Sequence, residues 1–170
     1  MSLVGFRARN HPQQVSLWSA NDGVDDRATT LDVFGPLNDR FGGFTIDVAA
    51  SPENTKVERF YHRGDDGLTK SWGGERVWCN PPYSNIAPWV AKANAEIDAL
   101  VIVMLLPANR TGQRWWQDHV EPVRDRPGSR LRVEFLPGRL RFLAPGQSKI
   151  KPNERPPFGC CLLIWDGSEQ

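Results

Sequence analysis

Three cysteines, three histidines and no apolar run long enough to cross a bilayer leave several kinds of chemistry without residues to carry them. Cys79, Cys160 and Cys161 lack metal-ligand spacing, and an odd count does not build a disulfide framework. Packing inside buried strands is the role expected of all three. His11, His62 and His119 are scattered, so neither a zinc site nor a His-centred catalytic triad is expected. The longest apolar run, Leu100 to Leu106, suits a buried strand and not a membrane span. Met1 to Gln14 has no apolar core of a secretory signal. The expectation is a cytoplasmic protein with no metal and no membrane partner. No internal repeat or low-complexity tract is present.

Charge of either sign is nearly balanced, at +1 over 170 residues, yet it is unevenly spread. Residues 124–155 carry nine Lys/Arg against Asp125, Glu134 and Glu154, a balance of +6 that leaves the rest at −5. One basic segment on a neutral chain is compatible with a polyanionic partner. The length suits one domain, expected over residues 27–170, with a polar, loosely ordered arm at residues 1–26. Nothing in the sequence fixes the oligomeric state, and a monomer is compatible with it.

What is present centres on Asn80-Pro81-Pro82-Tyr83, directly after the apolar run Val77-Trp78-Cys79. In an open α/β sheet, ligands sit beyond the carboxyl ends of the strands, where this tetrapeptide would project. The Asn80 carboxamide oxygen can accept one N–H of a planar amino group. The Pro81 carbonyl can accept the other, on a backbone stiffened by two prolines. Two acceptors on one NH2 favour a pyramidal nitrogen whose lone pair attacks an activated methyl group. Tyr83 offers a flat face for an extruded base. The sulfonium of S-adenosylmethionine would carry the activation, so no thiol, metal or strong base is needed. A proline turn with Tyr83 as ordinary cover is the plainer alternative.

The remaining pattern alternates strands and helices. Pro36 is expected to open a short helix with Leu37 and Phe41 inward and Gly42-Gly43 at its end. Strands are expected at Phe44–Val48, more weakly at Val57–Tyr61, then at Val77–Cys79 and Leu100–Leu106. The last of these reads as a parallel strand covered on both faces. Ile86 to Ala99 reads as a helix, with Ile86, Val90, Ala93 and Ile97 on one face and Pro88 in its first turn. Gly112 to Val120 reads as another, carrying Trp115 and Trp116. Leu131, Val133 and Phe135 alternate with Arg130 and Arg132. Beyond Pro137-Gly138, Leu140 and Phe142 alternate with Arg139 and Arg141, which suggests a hairpin with one apolar and one basic face. Solvation alone would also explain such a face. Ala144–Pro157 reads as loop and Cys160–Trp165 as a final buried strand.

Several of these segments together resemble the phage-type (Dam-like) DNA adenine-N6 methyltransferase family. They are residues 41–54, Asp66-Gly67-Leu68 with Trp72, residues 77–84, and Leu106-Pro107-Ala108-Asn109 with Trp115-Trp116. Phe135-Leu136-Pro137-Gly138-Arg139 with Phe142, and Phe158-Gly159, complete the pattern, which covers about residues 27–165. The resemblance implies an α/β, compact Rossmann-like, S-adenosylmethionine-dependent methyltransferase fold. Its sheet would be mostly parallel with an antiparallel C-terminal hairpin. It further implies that Asp47, Ala49, Ala50 and Ser51 cradle the amino-acid end of the cofactor, and that Asp66, Gly67 and Leu68 meet its adenine. Asn80 adjoins both cofactor and substrate, and DNA is the implied partner, met by Arg130, Arg132, Arg139 and Arg141. The turn-capping alternatives for Asp47 and Asp66 stay open at this point.

Two departures from the family pattern stand out. Ala50-Ser51-Pro52 replaces the glycine-rich Gly-x-Gly turn, and Arg27-Ala28-Thr29-Thr30 stands where the family has Trp-x-Thr-Pro, with Trp18 nine residues earlier. Alternatives are the same chemistry on RNA or on a protein glutamine amide, and a non-catalytic nucleic-acid-binding relative.

Overall fold

The computed structural model describes residues 28–62, 64–143, 147–149 and 158–167. The arm expected at residues 1–26, Trp18 and most of the loop expected at Ala144–Pro157 lie outside them. Among the described residues, seven strands and three α-helices follow one another. β1 (Ala28–Thr29) leads to α1 (Leu31–Arg40), β2 (Ile46–Asp47) and β3 (Arg76–Cys79). α2 (Ala87–Ala95), β4 (Val101–Pro107) and α3 (Arg114–His119) come next, then β5 (Leu131–Phe135), β6 (Phe142–Leu143) and β7 (Cys160–Asp166).

The main sheet has the order β2-β3-β4-β7-β5. β2, β3 and β4 are parallel, and β7 is antiparallel to both β4 and β5. Four of the five strands therefore run the same way, with β7 opposed. Each residue of β4 is buried, as its unbroken apolar run requires of a strand with neighbours on both edges and cover on both faces. In-register partners share a face, so Val77, Ile102 and Trp165 point one way and Trp78, Val103 and Ile164 the other. Phe34 of α1 meets the Trp78 ring edge-on at 5.4 Å, placing α1 on the second face. On the first face, the Trp165 indole donates to Asn94 Oδ1 of α2 at 2.8 Å, and Asn94 Nδ2 donates to His119 O of α3 at 3.1 Å. The three cysteines are free and buried, as expected.

Several elements differ from the sequence pattern. α1 begins five residues before Pro36, which lies inside it, and it ends at the expected Gly42-Gly43, both at positive φ. The weak strand at Val57–Tyr61 shrinks to one bridge, Asp47 to Phe60. α2 stops at Ala95 because Glu96 leaves helical geometry, so Ile97, expected inward, is 70% exposed. The antiparallel C-terminal pair is present, but its second strand is β7, not the segment after Pro137-Gly138. Phe142–Leu143 instead pairs with Ala28–Thr29 in a separate two-stranded sheet. Phe135, expected inward, is 59% exposed.

Candidate active site

β2 and β3 end side by side, Asp47 opposite Trp78, so the segments after them leave from the same edge of the sheet. Asp47 ends β2, and Asn80 follows the last residue of β3. Here two adjoining hollows form. The smaller is polar, lined by Asp47, Ala49, Asn54, Lys56 and Asn80 over a floor that includes Trp78. The larger, about 610 Å³ with its open mouth, is lined by Ala50, Tyr61, Asp66, Gly67, Pro82 and Trp89 among others. Ala49 and Asn54 border both.

Asp47 is the chemically unusual group. Only 4% of it is exposed, and burial pushes its carboxyl up to about 7, against the pull of the Ala49 N–H and the Lys56 charge. The Ala49 N–H donates to Asp47 Oδ1 at 3.2 Å, and Asp47 pairs through its backbone with Arg59 and Tyr61. Beyond it, residues 51–55 form a tight turn in which the Ser51 N–H donates to Asn54 Oδ1 at 2.7 Å. This turn replaces the Gly-x-Gly geometry with side-chain hydrogen bonding and aims Asn54 and Lys56 back at β2.

Asn80 Nδ2 donates to Thr29 Oγ1 at 3.4 Å. The stretch Ala28-Thr29-Thr30, which stands where Trp-x-Thr-Pro was expected, thus meets the tetrapeptide directly and forms part of the small hollow's wall. The Asn85 N–H closes a turn on Pro82 O at 3.1 Å, and Arg110 donates to Tyr83 O. Tyr83 is buried. Its hydroxyl donates to Leu105 O at 3.2 Å, and Phe142 and Phe158 meet its ring at 6.4 and 6.1 Å. In this arrangement the ring anchors the loop and is not an open stacking platform.

Asp66 lies at the rim of the larger hollow with φ 51°, a left-handed turn position that Asp tolerates better than most residues. Turn and site therefore coincide there. Gly67 admits no side chain, since a Cβ would lie 2.2 Å from Val48 O. Its own carbonyl accepts the Trp72 indole N–H at 3.0 Å. This close approach brings the Asp66 turn against β2.

The structure thus gathers Asp47, Ala49, Ala50, Asp66, Gly67, Asn80 and Pro82 around two neighbouring hollows. Ser51, Leu68, Pro81 and Tyr83 line neither. Asn54, Lys56, Tyr61 and Trp89 line them without having been expected there. Trp89 also packs, stacking on Trp72 at 6.4 Å.

The four arginines do not share one face. Arg130 precedes β5 and donates to the carbonyls of Glu96, Ile97 and Ala99, at the amino-end edge of the sheet. Arg132 lies 3.5 Å from Glu134 and 3.7 Å from Asp166, and Glu134 also pairs with Arg40 at 2.5 Å. β5 runs with β4, so five residues at about 3.3 Å each separate Arg130 from the edge that bears Asn80. Arg139 lies beyond that carboxyl end and is exposed, and Arg141 is half-buried.

The chain is a mixed α/β protein with two neighbouring hollows beyond the carboxyl ends of its strands, where open α/β sheets bind their ligands. The chain belongs to the DNA N-6-adenine-methyltransferase (Dam) family, whose model matches residues 19–168. It is similar to the DNA N-6-adenine-methyltransferase of Escherichia phage T1, with 36% identity over 114 residues, covering 62% of this chain and 42% of that protein. A DNA N-6-adenine-methyltransferase of Haemophilus phage HP1 (strain HP1c1) is 39% identical over 77 residues, covering 44% and 43% respectively. The matches span less than half the length of these curated relatives. Among the described residues there is no metal-ligand cluster and no helix long and apolar enough to cross a membrane.

Proposed function

We propose that this chain transfers a methyl group from S-adenosylmethionine to N6 of adenine in DNA, in the cytoplasm of a host cell, on a compact Rossmann-like methyltransferase fold. The observation that carries the reading is that Asn80 and the buried Asp47 line one hollow, while Pro82 and Asp66 line the one beside it. The residues fit the cofactor. A desolvated carboxyl favours a cationic ammonium, and a cleft bearing Tyr61, Trp89 and Asp66 suits a purine with an amino group.

When bound, the cofactor supplies a methyl group already activated by its sulfonium. The chain then has to present the nitrogen. Asn80, held by Thr29, accepts one N–H of the target amino group, and Pro81 O accepts the second. Arg110 and Leu105 hold the loop through Tyr83, so these acceptors are fixed before substrate arrives. An adenine inside a duplex cannot reach this edge of the sheet, so the base is extruded. The test is transfer of labelled methyl groups to DNA, RNA and protein, followed by nucleoside analysis. Label in N6-methyladenine of DNA is expected, and label confined to RNA or to glutamine amides would overturn the substrate assignment.

Phosphate contact is assigned to Arg139 at the site edge. Arg139→Ala should weaken binding to a non-cognate duplex and reduce the log–log salt slope by about one. Arg130→Ala should leave that slope unchanged and lower the melting temperature, since it removes three bonds to the carbonyls of Glu96, Ile97 and Ala99. A reduced slope for Arg130→Ala, with none for Arg139→Ala, would reverse the assignment.

A further inference from the structure

The smaller hollow holds a lysine that no part of the family resemblance explains. Lys56 is half-buried and lines this hollow together with Asp47. Burial lowers its pKa and the Asp47 charge opposes that shift, so the two groups interact across the space. Among the described residues the Lys56 ammonium makes one hydrogen bond, to Asn54 O at 3.0 Å. An ammonium has three N–H donors, which leaves two for a ligand. Asp47, in turn, accepts the Ala49 N–H and holds further acceptor capacity. One small cavity therefore carries a partly desolvated cation and a desolvated acid.

That arrangement matches a zwitterion. A phosphate would meet the Asp47 carboxylate, and a simple amine would meet the Lys56 ammonium. An α-amino acid satisfies both, its ammonium toward Asp47 and its carboxylate toward Lys56. The turn at residues 51–55 fixes the arrangement, because Asn54 receives the Ser51 N–H on its side chain and the Lys56 ammonium on its carbonyl. Resting on the methyl-donor reading above, we propose that Lys56 clamps the carboxylate of the cofactor's methionyl end. The opposite charges then orient the ligand end to end, since reversing it would bring like charges together. The adenosine part is thereby directed toward the larger hollow, which shares Ala49 and Asn54 with the smaller one.

The experiment is calorimetric and needs no turnover. Two ligands are titrated, S-adenosylhomocysteine and S-adenosyl-3-thiopropylamine, which differ by the carboxylate alone. The unaltered chain should prefer the first by about ten- to a hundredfold, the range for a charge-assisted hydrogen bond. Lys56→Met keeps most of the apolar stem and should abolish that preference, with affinity for the decarboxylated ligand nearly unchanged. Lys56→Gln serves as a second variant, and thermal melts establish that each is folded. Equal affinity of the unaltered chain for the two ligands would overturn the Lys56 assignment without reference to any variant, as would a preference retained in Lys56→Met. Binding of neither ligand by the unaltered chain would overturn the methyl-donor reading itself, and this proposal with it.

Discussion

Asn80→Ala should lower the rate of methyl transfer about a hundred- to a thousandfold while leaving the protein folded and its cofactor affinity nearly intact. Removing one preorganised partner of a charge-developing atom costs that much in well-studied enzymes. Asn80 shares its hollow with Asp47 and Lys56, so the loss is expected in transfer and not in folding. Asn80 stands just past β3, half-buried, and its described side-chain bond goes to Thr29, not to the core. The fold beneath it is held by other groups, with Cys79 and Trp78 almost fully buried in the sheet. Single-turnover transfer from labelled S-adenosylmethionine, with a thermal melt as control, measures both quantities. A rate within a few-fold of the unaltered chain would remove Asn80 from the reaction.

The second large effect concerns Asp47 and is read from stability. Its carboxyl has an ordinary value of 3.8 in the unfolded chain and about 7 in the fold, because burial disfavours the charge. Between those limits the folded chain binds a proton that the unfolded chain has released, so stability falls as pH rises from about 4 to about 7. The full cost, present above pH 7, is on the order of 4 kcal/mol. Asp47→Asn keeps an oxygen for the Ala49 N–H and never ionises. It should therefore melt well above the unaltered chain at pH 8 and close to it at pH 4.5, while binding S-adenosylhomocysteine about ten- to a hundredfold more weakly. Stability gained by disarming a binding carboxylate is the expected trade between the two. The same melting difference at both pH values would mean that the carboxyl does not carry the charge penalty.

Much of this site was legible because its signals are local. The unbroken apolar run of β4 declares burial on both faces, and a rigid Asn-Pro-Pro turn after an apolar strand declares its own position. Asp47 was found at a strand end for the same reason. Strand partnership is a different matter. Leu131–Phe135 followed by Pro137-Gly138 has the pattern of a hairpin, and alternation alone does not say which strand will fill the gap beside it. The buried run of β7 needed a neighbour on each edge, and β4 and β5 supplied them. Alternation alone puts Arg130 and Arg132 in one outward row, but carbonyls left at the end of α2 and the carboxylates of Glu134 and Asp166 engage them. Lys56 carries no such local signal, because its place in the hollow comes from a turn closed by Asn54. Tyr83 turned inward because its hydroxyl found Leu105 O.

The position of β7 also orders events during synthesis. β7 lies between β4 and β5, so the native sheet cannot be joined across its middle until the last of its strands has been made. When β5 emerges from the ribosome, it has no neighbour in the main sheet, and β4 presents one bare hydrogen-bonding edge. The stretch between β5 and β7 is thus the interval over which the nascent chain has to keep two apolar strand edges from other partners. Arg132 and Glu134 on β5, charged and placed on alternate residues, make that waiting strand a poor template for association.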